Sequence, residues 1–229
     1  MHPDHNAPPL NPLPAVVWAL ALPLIVIEIA VALGKAGIVG GPMAVGWRLQ
    51  AMEYLAFSPD LMRRMVATGQ YSLDGLHRLI SYPLIHYNFM HALFALVLLL
   101  ALGKMVGEVF RWWAVLIVFF GAAAVGALTY TFVLPAVEAP LIGGYPAVYG
   151  LIGAFTFLLW TNLARVGANR YRAFALIGFL LVIQLVFGVL FGGGPEWVAD
   201  IAGFATGFLL SFVVSPGGFG RVVEKIRQR

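Results

Sequence analysis

Residues 143–154 read Gly-Gly-Tyr-Pro-Ala-Val-Tyr-Gly-Leu-Ile-Gly-Ala, a Gly-Gly turn that leads into a run of small and apolar residues. Proline suits the first turn of a helix, where its missing N–H is not needed. Glycines at 150 and 153 allow a second helix backbone to approach closely. The stretch therefore predicts a closely packed helix inside a membrane, with Tyr145 held at its mouth.

The whole chain has the composition of a multi-span membrane protein. Of its 229 residues, 61% are hydrophobic and 10% are charged, and the mean hydropathy is +0.90. No soluble domain of this length needs so much apolar surface. The absence of cysteine excludes disulfides, thiolate catalysis and cysteine metal sites. There is no phosphate loop, so we expect no nucleotide, nucleic acid or cofactor to bind.

Six apolar segments are long enough to cross a bilayer, at 14–33, 83–103, 112–134, 146–164, 173–192 and 196–215. Among the short connections and the last tail, Lys and Arg occur in 104–111, 165–172 and 216–229 but not in 135–145 or 193–197. Positive residues mark the cytoplasmic side. We predict a six-span domain over 14–215, between a polar tail at 1–13 and the basic tail at 216–229. Both termini would be cytoplasmic, in a bacterial-type inner membrane.

The long first loop, residues 34–81, is too polar to span the membrane and too apolar for a plain linker. Its Ser-Pro-Asp triplet at 58–60 has the features of a helix start: a serine cap, a proline in the first turn and an acid near the positive dipole end. Apolar and basic residues mix in the flanking segments 46–57 and 61–68. We predict two short helices along the membrane interface, with a soluble helical loop as the alternative.

The first and second predicted spans contain an acid, Glu28, and two histidines, His86 and His91, near their ends. Glu28 of the first span is interpreted as a carboxylate that reaches up to the lipid headgroups. His86 and His91 open the predicted second span, where a polar ring needs a partner. The two histidines are five residues apart, so on a helix their side chains would point about 140° away from each other. This direction disfavours a shared metal. A polar lining or helix–helix hydrogen bonding stays open.

Four motifs in order resemble those of the rhomboid family of intramembrane serine proteases. The turn resembles the family's Gly-x-Ser-Gly, with Tyr145 at the place of the serine and Pro146 at the place of the next glycine. The second span resembles His-x4-His-x3-Asn, with both histidines present and Ala95 at the place of the asparagine.

The other two motifs lie at the ends of helices. Gly103 and Glu108 resemble the family's Gly-x-x-x-Glu with one extra residue, and residues 199–207 resemble its Ala-His-x-x-Gly-x-x-x-Gly. In that last motif Asp200 stands where the family has its general base. The family's Trp-Arg pair is His-Arg here, at 77–78. The resemblance implies an all-α, six-helix rhomboid-like bundle with a large, partly helical, interfacial first loop.

The same resemblance implies that the inherited chemistry is lost. Family members hydrolyse peptides with a serine activated by a histidine, and a histidine and an asparagine complete the oxyanion site. Tyr145, Asp200 and Ala95 occupy three of these positions, and only His91 keeps an oxyanion-type role. We therefore expect no peptidase activity. The scaffold is kept, because glycines on the fourth and last spans can face each other: Gly150, Gly153, Gly203 and Gly207.

Several arrangements of the altered site are chemically open. The simplest is a closed polar bridge in which Asp200 accepts a hydrogen bond from Tyr145 or pairs with His91. The alternatives are a tyrosine nucleophile beside a carboxylate, as in sialidases, and a metal-bound water held by Asp200 and the two histidines. An aspartyl-type pair would have to recruit Glu28 from the first span.

Inactive family members bind transmembrane segments, so the resemblance implies a binding function in the bilayer. We predict that a client or partner helix docks at the lateral face between the second and fifth spans. One alternative is an active intramembrane peptidase with an altered site on Tyr145 and Asp200. The other is a structural subunit of a membrane complex, whose aromatic pairs at 112–113 and 119–120 would face neighbouring proteins.

Overall fold

A computed structural model of the chain describes residues 12–191 and 193–218. The predicted tails at 1–13 and 216–229 lie mostly outside this range. The helices in chain order are α1 (Ala15–Lys35), α2 (Trp47–Leu55), α3 (Pro59–Thr68), α4 (Leu73–Leu76), α5 (Arg78–Ser81), α6 (Phe89–Gly107), α7 (Trp112–Val133), α8 (Tyr145–Arg165), α9 (Ala175–Phe191) and α10 (Trp197–Val214).

Among the described residues, five helices are long and apolar enough to cross a membrane: α1, α6, α7, α8 and α10. The remaining predicted span, 173–192, corresponds to α9, which has 17 residues and follows a 3₁₀ turn at Arg170–Phe174. The prediction of an all-helical, multi-span membrane protein is confirmed.

The predicted start of the second span at residue 83 is wrong, because α6 begins six residues later, at Phe89. Pro83 lies in a 3₁₀ turn, Tyr82–Leu84, and the chain then becomes extended at Ile85. The side chain of Asn88 caps α6, since its Oδ1 accepts a hydrogen bond of 2.9 Å from the backbone N–H of His91. His86 therefore lies before the helix rather than on it.

The centre of the bundle is the packing of α8 against α10, with α7 behind both and α6 beside α8. The backbones meet at glycines. A Cβ added to Gly207 would overlap the carbonyl oxygen of Gly150, and one added to Gly203 would overlap that of Pro146. A Cβ on Gly153 would likewise overlap the carbonyl oxygen of Phe204. Only glycine allows this approach.

Gly103 and Phe119, two residues that the sequence analysis singles out, both lie at helix contacts within the bundle. Gly103 of α6 packs against α1, where an added Cβ would lie 3.0 Å from Cγ1 of Val17. Phe119 of α7 is 2% exposed and belongs to the core. The expectation that both residues of the 119–120 pair face neighbouring proteins is therefore wrong, because α7 turns Phe119 towards the bundle.

The first loop folds over the end of the bundle where α8 and α10 begin. Helix α3 starts where the sequence predicts, with the side chain of Ser58 accepting a hydrogen bond from the N–H of Leu61. Phe57 forms an isolated antiparallel bridge with Leu141 in the connection before α8. Arg63 donates to the carbonyl oxygen of Val137 at 2.8 Å. These contacts fix the loop against the turn that leads into α8.

Candidate functional site

The turn before α8 is held by the segment that precedes α6. Gly143 has a φ of 108°, which favours glycine, and its N–H donates to the carbonyl oxygen of Tyr82 at 3.1 Å. A Cβ on Gly143 would lie 2.6 Å from Cε1 of His91. The N–H of Gly144 donates to Nε2 of His86 at 3.2 Å. The Gly-Gly pair thus brings the mouth of α8 against both histidines.

His86 acts as a neutral acceptor in this turn. The side chain is 1% exposed, and its ring lies edge-on to that of His91 with centroids 5.2 Å apart. Burial lowers the pKa of His86 to about 3, helped by the nearby His91 and Arg48. A protonated ring has no lone pair with which to accept the Gly144 hydrogen bond, so the neutral form belongs to this turn. The predicted angle of about 140° between the two histidine side chains assumes that both lie on one helix. It does not hold here, because His86 precedes α6.

Behind His86 lies an ion pair that joins α1 to α2. Arg48 donates from Nη2 to Oε1 of Glu28 at 2.5 Å and from Nη1 to Oε2 at 3.1 Å. Its Nη1 also donates to the carbonyl oxygen of His86 at 2.8 Å. Glu28 is only 8% exposed. The interpretation of Glu28 as a carboxylate that reaches the headgroups is wrong, because this carboxylate is buried and pairs with Arg48 of the first loop.

Tyr145 is the first residue of α8, followed by Pro146 in the first turn. Its ring stacks on the imidazole of His91, with centroids 4.9 Å apart and planes 21° apart. The phenol therefore covers one face of the His91 imidazole, which the motif comparison aligns with an oxyanion-type position. Ala95, at the place of the asparagine, is fully buried in α6 and offers no donor there.

Asp200 lies in the first turn of α10 and is 4% exposed. Its Oδ2 accepts a hydrogen bond of 2.9 Å from Nε2 of Gln184 in α9. The Oε1 of Gln184 in turn accepts a long hydrogen bond of 3.5 Å from the hydroxyl of Tyr149. The hydrogen bond of the carboxylate thus goes to Gln184, in place of the expected contact with Tyr145 or His91.

Several tyrosine and serine hydroxyls in the described part of the chain have partners other than a base. The hydroxyl of Tyr82 donates to the carbonyl oxygen of Ala123, and that of Tyr87 donates to the carbonyl oxygen of Pro140. The hydroxyl of Tyr149 donates to Gln184. Ser58 and Ser81, in the first loop, bond to backbone groups there, and Ser211 bonds to the carbonyl oxygen of Gly207. A nucleophile needs a base within hydrogen-bond reach. None of these hydroxyls has one as its partner.

A metal site was the other chemical alternative. Within 12–191 and 193–218, no three His, Cys, Asp or Glu side chains are grouped so that they could hold a metal ion. His86, His91 and Asp200 do not form such a group: the first bonds to the turn, the second stacks on Tyr145, and the third bonds to Gln184.

The sequence-based prediction does not include two residues of the site, Arg48 and Gln184. In the sequence Arg48 is only one charge within an apolar segment. Gln184 is the single amide in an otherwise apolar run over 173–192, and that isolation is the signal that could have drawn attention to it. Arg48 had no comparable signal, because its partner Glu28 lies 20 residues away.

Comparison with known proteins finds matches to one family. The family model described as "Rhomboid domain" matches residues 74–217, a range that contains the turn, both histidines, Gln184 and Asp200. The Bacillus subtilis (strain 168) protein named "Putative rhomboid protease YdcA" is 27% identical over 180 residues, covering 72% of this chain and 84% of that protein. "RHOMBOID-like protein 1" of Arabidopsis thaliana is 36% identical over 72 residues, covering 31% of this chain and only 18% of that protein.

Proposed function

Because the chain belongs to the rhomboid family, we propose that it is a pseudoprotease, which binds transmembrane segments of other membrane proteins and does not cleave them. The binding of transmembrane segments is inferred from the family resemblance. The loss of cleavage is inferred from the altered residues around the start of α8.

One observation carries the proposal: two of the three altered positions hold side chains that already have other partners, and the third holds Ala95, which has no polar side-chain group. The ring of Tyr145 stacks on His91, and the carboxylate of Asp200 is hydrogen-bonded to Gln184. Peptide hydrolysis in the family needs a serine next to a base and an oxyanion site open to the substrate carbonyl. Here the nucleophile position holds a ring that covers the oxyanion-type imidazole.

We also propose the finer topology of the membrane domain, with six spans over 14–215 and α9 as the fifth. The 17 residues of α9 extend about 25 Å at 1.5 Å per residue, close to the hydrocarbon thickness of about 30 Å. The distribution of Lys and Arg supports cytoplasmic termini and a bacterial-type inner membrane. The first loop and the mouth of α8 would then lie on the non-cytoplasmic side.

The proposed docking surface is the lateral face between α6 and α9. Large apolar side chains are exposed on both helices, Phe94 and Val97 on α6 and Phe179 and Val182 on α9. In a membrane such side chains contact either lipid or another helix. A partner helix at this face would lie beside Tyr145, Gln184 and Asp200.

The test is cleavage of a labelled single-span substrate by the purified protein in liposomes, with Tyr145→Phe and Asp200→Asn measured in parallel. We expect no cleavage by any of the three proteins, together with retention of the substrate on the immobilised native protein. Cleavage by the native protein that both substitutions abolish would overturn the proposal in favour of an altered peptidase. Failure to retain any single-span segment, with one stoichiometric partner recovered in mild detergent, would favour a structural subunit.

A further inference from the structure

We propose that Asp200 selects partner segments that carry one basic side chain about one helical turn from their non-cytoplasmic end. This inference rests on the proposed binding function and adds the chemistry of the partner. The charges around Asp200, its hydrogen bond and the apolar surface beside it point to that chemistry.

The carboxylate of Asp200 is buried, and no counter-ion for it lies among residues 12–191 and 193–218. The ion pairs found in the described part of the chain are Arg48–Glu28, Arg63–Asp60, Arg78–Asp74 and Lys104–Glu108, and none of them includes it. The acid one turn before it on the chain is Glu196, which has the same sign. Acids inside membranes pair with basic groups or with backbone dipoles, because an isolated charge is costly there. Asp200 has the N-terminal dipole of α10 beside it, but among the described residues no basic group compensates its charge.

The partner that Asp200 does have is neutral and replaceable. The bond from Gln184 comes from an amide, and the other end of that amide is held only by the 3.5 Å contact with Tyr149. Gln184 sits on α9, where its neighbours Val182 and Ile183 are exposed, so this part of α9 is not enclosed by the bundle. An ammonium or guanidinium group that bonds to a buried carboxylate also compensates its charge, which the neutral amide of Gln184 does not. A basic side chain that reaches Asp200 can thus displace Gln184.

The surface around Asp200 suits a helix that carries this basic group. Trp197 and Ile201, on the same side of α10 as each other, are 49% and 37% exposed. Together with Val182 and Ile183 they present apolar side chains on both helices next to the buried acid. Asp200 is the fourth residue of α10, about 5 Å from its start at 1.5 Å per residue. An apolar helix with a single Lys or Arg at that depth matches both features.

The experiment measures association of designed segments with the full chain in liposomes by energy transfer. Each segment is a Leu-Ala helix of about 20 residues, oriented by a folded cytoplasmic tag. The series has no charge, one Lys near the non-cytoplasmic end, one Lys near the cytoplasmic end, or one Glu near the non-cytoplasmic end. The protein is tested as native, as Asp200→Asn, as Gln184→Ala and, for a matched acid, as Glu196→Gln.

We expect the segment with Lys near the non-cytoplasmic end to bind about tenfold more tightly than the uncharged one, in the range of polar contacts between membrane helices. Asp200→Asn should abolish this preference, Glu196→Gln should keep it, and Gln184→Ala should increase it because the competing donor is gone. The Glu segment should bind most weakly.

The outcomes separate the inference from the function on which it rests. Equal binding of all segments would overturn the inference and leave the binding function standing. Binding of no segment would overturn both. If Asp200→Asn is poorly folded, Gln184→Ala decides alone, since a weaker preference for Lys in that variant contradicts the competition between Gln184 and the incoming base.

Discussion

Arg48 connects three separate parts of the chain around the candidate site. It pairs with Glu28 of α1, belongs to α2, and donates to the carbonyl oxygen of His86 just before α6. Its side chain is 21% exposed and that of Glu28 is 10% exposed. A buried ion pair adds little net stability to a protein. Removing one of its two residues is costly, because the other charge is then buried without a partner.

Arg48→Ala should therefore lower the free energy of unfolding by about 2 to 3 kcal/mol, because it strands the carboxylate of Glu28. The double variant Glu28→Leu with Arg48→Met should lose much less, since no buried charge remains unpaired. Equilibrium unfolding in mixed detergent micelles measures both. Equal losses in the single and the double variant would show that the ion pair is not the cause.

His86 makes stability depend on pH. Its pKa falls from an ordinary value of 6.5 to about 3 in the folded protein, so the unfolded chain binds the proton more readily. The contribution of His86 to stability is then intact above pH 6.5 and is lost progressively as the pH falls from 6.5 towards 3. His86→Gln keeps an acceptor for Gly144 without titrating, and unfolding measured from pH 7.5 to 5 should show a flatter dependence in that variant. An unchanged slope would exclude His86 as the source.

At this scale the sequence singles out candidate site residues by motif spacing, and it does not predict what their side chains contact. The motif spacing located Tyr145 and Asp200 because the family pattern is local in sequence. The partners are not local: the hydrogen bond between Gly144 and His86 spans 58 residues, and that between Asp200 and Gln184 joins two different helices. A side chain's partner depends on how helices rotate against one another, which single-sequence patterns do not encode.

Among the elements, the contact between α8 and α10 has the least tolerance for change. A Cβ on Gly207 would overlap the backbone of Gly150, whereas one on Gly178 of α9 would meet nothing within 4 Å. Gly207→Ala should therefore lower the free energy of unfolding by about 1 to 3 kcal/mol. The matched change Gly178→Ala should be neutral or stabilise by up to about 1 kcal/mol, since it only improves helix propensity. Thermal unfolding in detergent compares the two, and similar effects would contradict close packing at Gly207.

The helices themselves were predictable from hydropathy, and their ends less so. The start of α6 was placed six residues too early because residues 83–88 are apolar enough to extend the span. The caps decide such ends: Asn88 accepts from the N–H of His91, just as Ser58 does for α3. Asparagine is one of the preferred residues at a helix N-cap, so Asn88 is the sequence feature that predicts the start of α6.

For the whole molecule, the absence of cysteine makes the proposed topology directly measurable. Single cysteines at the exposed positions Glu138 and Ala168 lie in the connections after α7 and after α8. We expect a membrane-impermeant maleimide to label Glu138→Cys in intact cells and to label Ala168→Cys only after the cells are lysed. The reverse pattern would invert the orientation, and labelling of both in intact cells would contradict an α8 that spans the membrane.

The glycine contact between α8 and α10 also sets the order in which the molecule can be completed. Because α9 intervenes in sequence while α10 supplies the packing face for Gly153, α8 enters the bilayer with Gly153 facing lipid until a later helix, α10, packs there. During that interval the nascent protein has an unfilled helix-packing surface at Gly153. Its yield in cells should thus depend on how promptly α10 is inserted, as well as on the stability of the finished bundle.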